Sequence, residues 1–173
     1  MSACGFNFEY SYLNLPSTLF TISAPEPVIS PEIIICNNEL ATHLELDFSC
    51  STSSRLAHLF SGNEVFSGSS AFCQAYAGHQ YGNFTLLGDG RAHHLGEHVT
   101  SSGLRYDLQL KGSGRTPYSR SGDGRAALSS MLREYIISEA IHSLNIPTTR
   151  SLAVVKTGEK VVRENLLQGA ILT

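Results

Sequence analysis

Long apolar runs are missing from this sequence. The longest, such as residues 33–36 and 152–155, hold four residues each, whereas a helix that crosses a bilayer needs about 20. No lysine or arginine precedes Arg55, which argues against a secretory leader and against an Arg-rich transit peptide. We therefore predict no membrane association and a cytoplasmic location.

Neither sign of charge is in excess, and cysteine is scarce. The 12 Lys and Arg against 15 Asp and Glu give a net charge of −3, so no general attraction to nucleic acid is expected. The spacing of Cys4, Cys36, Cys50 and Cys73 matches no zinc motif, and four cysteines are too few for a disulfide scaffold. We expect reduced thiols and no metal site of the chain's own.

Prolines divide the chain into two parts. Four of the six prolines lie in residues 1–31, where they interrupt any helix or central strand. We predict an irregular N-terminal arm over 1–31, whose aromatic residues pack onto a domain over 32–173. The last apolar residues, 169–173, begin a strand in which the chain stops, and this suggests a truncated gene.

Local patterns in residues 32–173 predict an α+β fold with an antiparallel sheet. The clearest strand is 104–111, where apolar and polar residues alternate. The clearest helix is 125–144, with Asp123 placed to cap it. The remaining predictions are strands at 32–36, 84–87, 92–97, 151–156 and 160–163, a turn at 157–159, and short helices at 38–46 and 56–60.

A glycine turn, Gly88-Asp89-Gly90-Arg91, separates two of the predicted strands. Glycines let the backbone approach a phosphate closely, and Arg91 adds a charged fork. The turn is thus a candidate phosphate site. On local evidence, a plain hairpin turn between the flanking strands explains the same residues.

A lysine and a glutamate form the second candidate feature. Lys111 lies at the end of the clearest strand, and Glu134 lies two turns into the helix that follows. Kinase-like folds use such a lysine, held by a helix glutamate, to bind nucleotide phosphates. The alternative is that both side chains are simply solvated.

Residues 112–125 connect these two elements and are rich in glycine and arginine. The segment contains four glycines, three arginines and a single acidic residue, which is a composition suited to an anion site. The alternative is a long mobile loop, although such loops are uncommon without a function.

Several ungapped runs resemble the selenoprotein O/YdiU family of protein adenylyltransferases. The resemblance is dense over residues 75–173 and looser over 31–74. The runs that carry it are 75–82, 87–92, 107–120, 122–126, 133–135, 146–150 and 169–173.

This resemblance implies a protein-kinase-like N-terminal lobe with one long αC-like helix, and it implies transfer of AMP from ATP to hydroxyl side chains of proteins. It implies that Lys111 holds phosphates and that Glu134 orients Lys111. The implied nucleotide-binding residues are Gly88, Gly90, Arg91, Lys111, Asp123 and Gly124. The catalytic aspartate, the Mg²⁺ ligands and the second lobe of the family have their place beyond Thr173, so the fragment is expected to be inactive alone.

Two other functions compete with this interpretation. A truncated, non-catalytic paralogue would bind a nucleotide or a partner, and an exposed apolar face would favour it. An ordinary kinase-like phosphotransferase is the third hypothesis, and the resemblance argues against it.

Overall fold

A computed structural model of the chain describes residues 3–49, 51–64, 66, 70–80 and 82–173. The helices are α1 (Asn38–His43), α2 (Ser53–Ser61) and α3 (Leu128–Ser143), with short 3-10 turns at Ala3–Gly5, Ser11–Asn14 and Ser17–Leu19. The strands are β1 (Phe8–Glu9), β2 (Phe20–Ile22), β3 (Glu32–Cys36), β4 (Phe72–Gln74), β5 (Ala77–Gln80), β6 (Asn83–Leu86), β7 (Ala92–Val99), β8 (Arg105–Lys111), β9 (Ala126–Ala127), β10 (Ala153–Val162) and β11 (Leu166–Leu172).

The strands form one large antiparallel sheet and one small one. The large sheet has nine strands, in the order β2-β4-β7-β8-β11-β10-β3, with β1 beside β7 and β9 beside β11. The small sheet is the β5-β6 pair. The fold is therefore α+β with an antiparallel sheet, as predicted, and α3 is the longest helix of the described residues.

Several elements form where the local sequence patterns predicted them. Strand β3 has the predicted bounds, and α1 begins after Asn37, whose side chain accepts a hydrogen bond from the Leu40 amide. In β8 the alternation is confirmed, because Leu108 and Leu110 are buried whereas Arg105 and Asp107 are exposed. Burial of every second side chain is what a strand with one core-facing side requires.

The hairpin alternative for the glycine turn is wrong. Strand β6 pairs with β5, whereas β7 pairs with β1, β4 and β8. Residues 88–91 therefore carry the chain from the small sheet into the large one. The Asp89 carboxylate accepts a 2.8 Å hydrogen bond from the backbone N–H of Gln74. This hydrogen bond attaches the turn to β4 instead of to a hairpin partner.

The turn predicted at 157–159 is also wrong, because one continuous strand covers both flanking segments. Strand β10 pairs with β11 on both sides of an irregularity between Lys156 and Lys160. At this irregularity three residues of β10 face one residue of β11, Gly169. Extra residues on one strand of a pair form a β-bulge. A bulge and a tight turn have similar local sequences, and only the partner strand distinguishes them.

Helix α3 begins at Leu128, three residues later than predicted, because Ala126 and Ala127 pair with β11 as β9. Asp123 is not its N-cap; Ala127 occupies that position without a side-chain bond. Met131 is fully buried, but Ile136 and Leu144, from the predicted apolar face, are 62% and 70% exposed.

The N-terminal segment contributes to the large sheet, through β1 on β7 and β2 on β4. Phe6 is buried and makes edge contacts with Phe60 and Phe66. The division of the chain at residue 31 stays a prediction. No helix among the described residues has the length and apolar character to cross a membrane. Cys36 and Cys73 carry free thiols, and Cys50 lies outside the described residues.

Candidate functional site

Lys111 and Glu134 form a direct ion pair between β8 and α3. The Lys111 Nζ lies 2.6 Å from the Glu134 Oε2, and about a third of each side chain is exposed. The Lys111 backbone is fixed on both sides, since it pairs with Ala92 of β7 and Leu172 of β11. The sequence predicted this pairing, and the alternative that the two side chains are merely solvated is wrong.

Arg91 is the second cation on the same glutamate. Its Nη2 lies 3.7 Å from the Glu134 Oε1, so the two carboxylate oxygens face different cations. The Arg91 carbonyl accepts a 2.7 Å hydrogen bond from the Gly112 amide, which holds the end of the glycine turn beside the end of β8. Three elements that are distant in sequence thus meet at one carboxylate.

The loop 112–125 packs directly on the glycine turn. Thr116 Oγ1 donates to the Asp89 carbonyl at 2.7 Å, and Ser119 Oγ donates to the Gly90 carbonyl at 2.5 Å. A Cβ on Gly88 would stand 2.5 Å from the Tyr118 ring, so only glycine permits this approach. The loop predicted as an anion site therefore holds two backbone carbonyls of the turn.

Asp123 and Gly124 lie at the other end of that loop and have different partners. Hydrogen bonds from Arg163, at 2.7 and 3.0 Å, lower the pKa of the Asp123 carboxyl below its ordinary value. Gly124, at a φ of 67°, accepts a hydrogen bond from the Gly114 amide. Arg163 is a contact that local sequence patterns did not reveal, because it comes from the residue that follows β10, 40 positions further along the chain.

An open groove of about 1200 Å³ lies between α3 and the large sheet. Of the predicted site residues, it is lined by Arg91, Lys111 and Glu134. The groove is not lined by Gly88, Gly90, Asp123 or Gly124. These four predicted residues lie in the flanking turn and loop.

The groove is also lined by residues that the sequence patterns did not single out. His94 lines it beside Gln109 and lies 3.2 Å from the Asp89 carboxylate. Arg133 lines it one residue before Glu134, and its place in the run 133–135, which carries part of the family resemblance, was a signal that could have identified it. The predicted strand alternation gave no reason to choose His94.

The neighbouring His93 points into the core and has no access to the groove. It is 0% exposed, and its Nδ1 lies 2.8 Å from the Ser113 Oγ. Burial lowers the pKa of His93 to about 4, which the Asp89 charge opposes and His94 and Arg125 reinforce. His93 is therefore a neutral structural residue near neutral pH.

The arrangement is suited to binding a polyanion. Lys111 offers a compact ammonium and Arg91 a planar fork, and both cations suit phosphate oxygens. One Glu134 oxygen binds Lys111 at 2.6 Å, and the other lies 3.7 Å from Arg91, beyond hydrogen-bond distance. Within the described residues, no group of three or more His, Cys, Asp or Glu side chains is placed to hold a metal ion.

Comparison with known proteins gives consistent matches. Residues 3–172 match the family described as "Protein adenylyltransferase SelO". Proteins named "Protein nucleotidyltransferase YdiU" from Nitrosococcus oceani and Pelagibacter ubique are 59% and 61% identical over 169 residues, which is 98% of this chain. One from Clostridium perfringens is 59% identical over 172 residues. The chain spans only 34–35% of the length of these relatives.

Proposed function

The chain belongs to the family of the protein adenylyltransferase SelO, and from this we propose that it is the nucleotide-binding N-terminal part of a protein nucleotidyltransferase. The reaction proposed is transfer of AMP from ATP to Ser, Thr or Tyr hydroxyls of proteins, in the cytoplasm. The observation that carries the proposal is the Lys111–Glu134 ion pair on the wall of an open groove.

The proposed roles follow from charge and position. Lys111 and Arg91 bind phosphate oxygens of ATP, and Glu134 orients both cations, as a helix glutamate orients the strand lysine in kinase-like folds. Gly88 and Gly90 let the backbone of the turn approach the nucleotide. The places of Asp123 and Gly124 in the proposed site come from the family resemblance, since both lie in the adjoining loop outside the groove lining. On this proposal the chain forms a kinase-like N-terminal lobe.

In the proposed reaction a protein hydroxyl oxygen attacks the α-phosphorus of ATP. A new oxygen–phosphorus bond forms, the bond from the α-phosphorus to the bridging oxygen breaks, and pyrophosphate leaves. The cations of this chain hold the phosphates and offset their charge, which is the main protein contribution to phosphoryl-type transfer. By family resemblance, the aspartate that takes the hydroxyl proton and the Mg²⁺ ligands lie beyond Thr173. We therefore expect this chain alone to bind Mg²⁺-ATP without transferring AMP.

Replacing Lys111 tests the nucleotide site directly. Lys111→Met should weaken Mg²⁺-ATP binding by about 10- to 100-fold in calorimetry, because a hydrogen bond to a charged group contributes about 1.5–3 kcal/mol. Lys156→Met is a matched control, because Lys156 is also a strand lysine paired with a glutamate, Glu32, and it does not line the groove. Equal affinities for Lys111→Met and the wild-type chain would remove Lys111 from the site.

A second candidate function is a non-catalytic module that binds a nucleotide or a partner. It is favoured by the exposed apolar side chains of α3, among which Ile136 and Ile137 are more than half exposed.

A chimera separates the two functions. Residues 1–172 would replace the matching part of the Clostridium perfringens relative, and ATP labelled at either the α- or the γ-phosphate would be supplied. Label transferred to protein from the α position, and lost with Lys111→Met, supports the adenylyltransferase. Transfer from the γ position alone contradicts adenylylation, and nucleotide binding without transfer favours the non-catalytic module.

A further inference from the structure

Helix α3 carries Glu134, yet few apolar contacts hold the helix on the sheet. Met131 is its one fully buried residue within the described range. Met131 belongs to a small buried cluster that Leu128, Leu132 and Tyr135 also contact. Ile137, on the next turn, is 56% exposed. Apolar packing is thus concentrated near the beginning of α3, and it leaves the orientation of the C-terminal half to other contacts.

The C-terminal half of α3 is held by a dense polar cluster around Glu139. Arg150 Nε and Nη2 donate to the two Glu139 carboxylate oxygens at 2.8 and 2.7 Å. The same carboxylate accepts hydrogen bonds from Asn37 Nδ2 at 2.7 Å and from the Ser151 amide at 3.0 Å. Next to Glu139, the Ser138 hydroxyl lies 2.7 Å from the Ser151 hydroxyl. The cluster ties α3 to the segments that precede α1 and β10.

This attachment is stronger than an ordinary surface ion pair. The Arg150 and Glu139 side chains are only 22% and 20% exposed, so solvent and salt screen them less than they screen exposed pairs. The contact is bidentate, which fixes geometry as well as distance. Burial raises the pKa of the Glu139 carboxyl, but hydrogen bonds from Arg150, Ser151 and Asn37 outweigh this effect and keep the pKa below its ordinary value.

We infer that Glu139 and Arg150 are positioning residues, which hold α3 in the rotation that places Glu134 at Lys111. This inference rests on the proposed function, because it concerns the same ion pair. It also gives a role to Arg150, at the end of the segment 146–150, which is part of the family resemblance; Arg150 lines the same groove but has no role in the nucleotide binding proposed above.

The geometry of an α-helix explains why two attachments are needed. Glu134 and Glu139 are five residues apart, which corresponds to about 7.5 Å along the axis and roughly 140° around it. Attachments on different sides of a helix oppose its rotation. Because side chains extend to a radius of about 5–6 Å, a rotation of about 30° would move the Glu134 carboxylate by about 3 Å. That displacement is larger than the present 2.6 Å contact with Lys111, so the ion pair would open.

A zero-length carbodiimide cross-link measures this position without any nucleotide. The reagent joins an amine to a carboxylate that already touches it, so the yield of the Lys111–Glu134 cross-link, measured by mass spectrometry, reports the fraction of molecules with the pair formed. The Lys156–Glu32 pair, between β10 and β3, is an internal standard in the same sample. The ratio of the two yields corrects for reagent activity and for any unfolded protein.

We expect Glu139→Gln and Arg150→Met each to lower that ratio by about fivefold, as the loss of a charged bidentate contact implies. Glu64→Gln is the matched control, because it removes a carboxylate that binds Arg55 from the region of α2; the ratio should stay at the wild-type value. An unchanged ratio in Glu139→Gln and Arg150→Met would overturn the inference. A variant that unfolds also loses the Lys156–Glu32 cross-link. In that case Arg150→Lys, which keeps the charge but not the bidentate contact, takes its place, and a lowered or an unchanged ratio is interpreted in the same way.

Binding of Mg²⁺-ATP distinguishes failure of this inference from failure of the proposed function. Glu139→Gln should weaken binding by about fivefold in the wild-type background and by less in a Lys111→Met background, where Arg91 is the one cation that Glu134 still orients. Equal losses in both backgrounds would indicate a general structural effect and overturn the positioning role. A wild-type chain that binds no ATP would contradict the proposed function, and the cross-link ratio would still decide the role of Glu139.

Discussion

Protonation of His93 should make the fold sensitive to mild acid. His93 is 0% exposed, and burial lowers its pKa from 6.5 to about 4. A histidine with a depressed native pKa binds fewer protons in the native state than in the unfolded state. Its contribution to stability is therefore complete above the unfolded pKa and is lost as the pH falls from about 6.5 towards 4.

The size of the effect follows from the two pKa values. Between about pH 7 and about pH 5 the unfolded chain takes up most of a proton at this histidine, while the native chain takes up little. The free energy of unfolding should fall by about 2 kcal/mol over this interval because of His93 alone. The pKa of His93 also depends on the charges of Asp89, His94 and Arg125. The measured pH dependence of stability therefore includes their effect.

The assay is urea unfolding followed by far-UV circular dichroism, since the chain has no tryptophan to report by fluorescence. His93→Asn keeps a polar atom near the Ser113 hydroxyl and cannot ionise. Between about pH 7 and about pH 5, the free energy of unfolding of this variant should therefore fall by about 2 kcal/mol less than that of the wild-type chain. His58→Asn, which removes an exposed histidine from α2, controls for the loss of one histidine. Equal pH dependence in His93→Asn and the wild-type chain would refute the reasoning.

Two further predictions concern the packing of the fold. Gly124→Ala should destabilise the chain by at least about 3 kcal/mol in urea unfolding, because a Cβ would stand 1.9 Å from the Gly114 carbonyl oxygen. Gly103→Ala, with a similar positive φ but open space around it, should lose only about 1 kcal/mol, and equal losses would argue against the packing explanation. Burial raises the pKa of the Cys73 thiol to about 12, so iodoacetamide at about pH 8 should modify Cys73, as read by mass spectrometry, only after unfolding; rapid labelling of the native chain would contradict this.

Local sequence patterns identified the elements that carry the candidate site. The alternation in 104–111 placed Lys111 at the end of a strand, and the helical spacing after residue 125 placed Glu134 on the following helix. These two periods depend on neighbouring residues alone, so they can be detected in a single sequence. The long ungapped runs identified the family, since they preserve residue identity as well as period.

The partners of these elements could not be predicted from local patterns. The strands on either side of the glycine turn pair with different neighbours, and the segment predicted as a turn at 157–159 is a bulge in one strand. A strand pattern shows which side faces the core, but it does not show which distant strand supplies the hydrogen bonds. Asp123 was predicted as a helix cap and instead binds Arg163, for the same reason.

The sequence by itself determined the α+β class, the family and the two residues that form the ion pair, because periodicity and residue identity are properties of the chain. Only the tertiary structure decided that Arg91 lies near the glutamate that binds Lys111, and that Arg150 pairs with Glu139 of α3. These contacts join residues from separate elements. Their distances depend on how the whole sheet and the helix pack, and no local pattern contains that information.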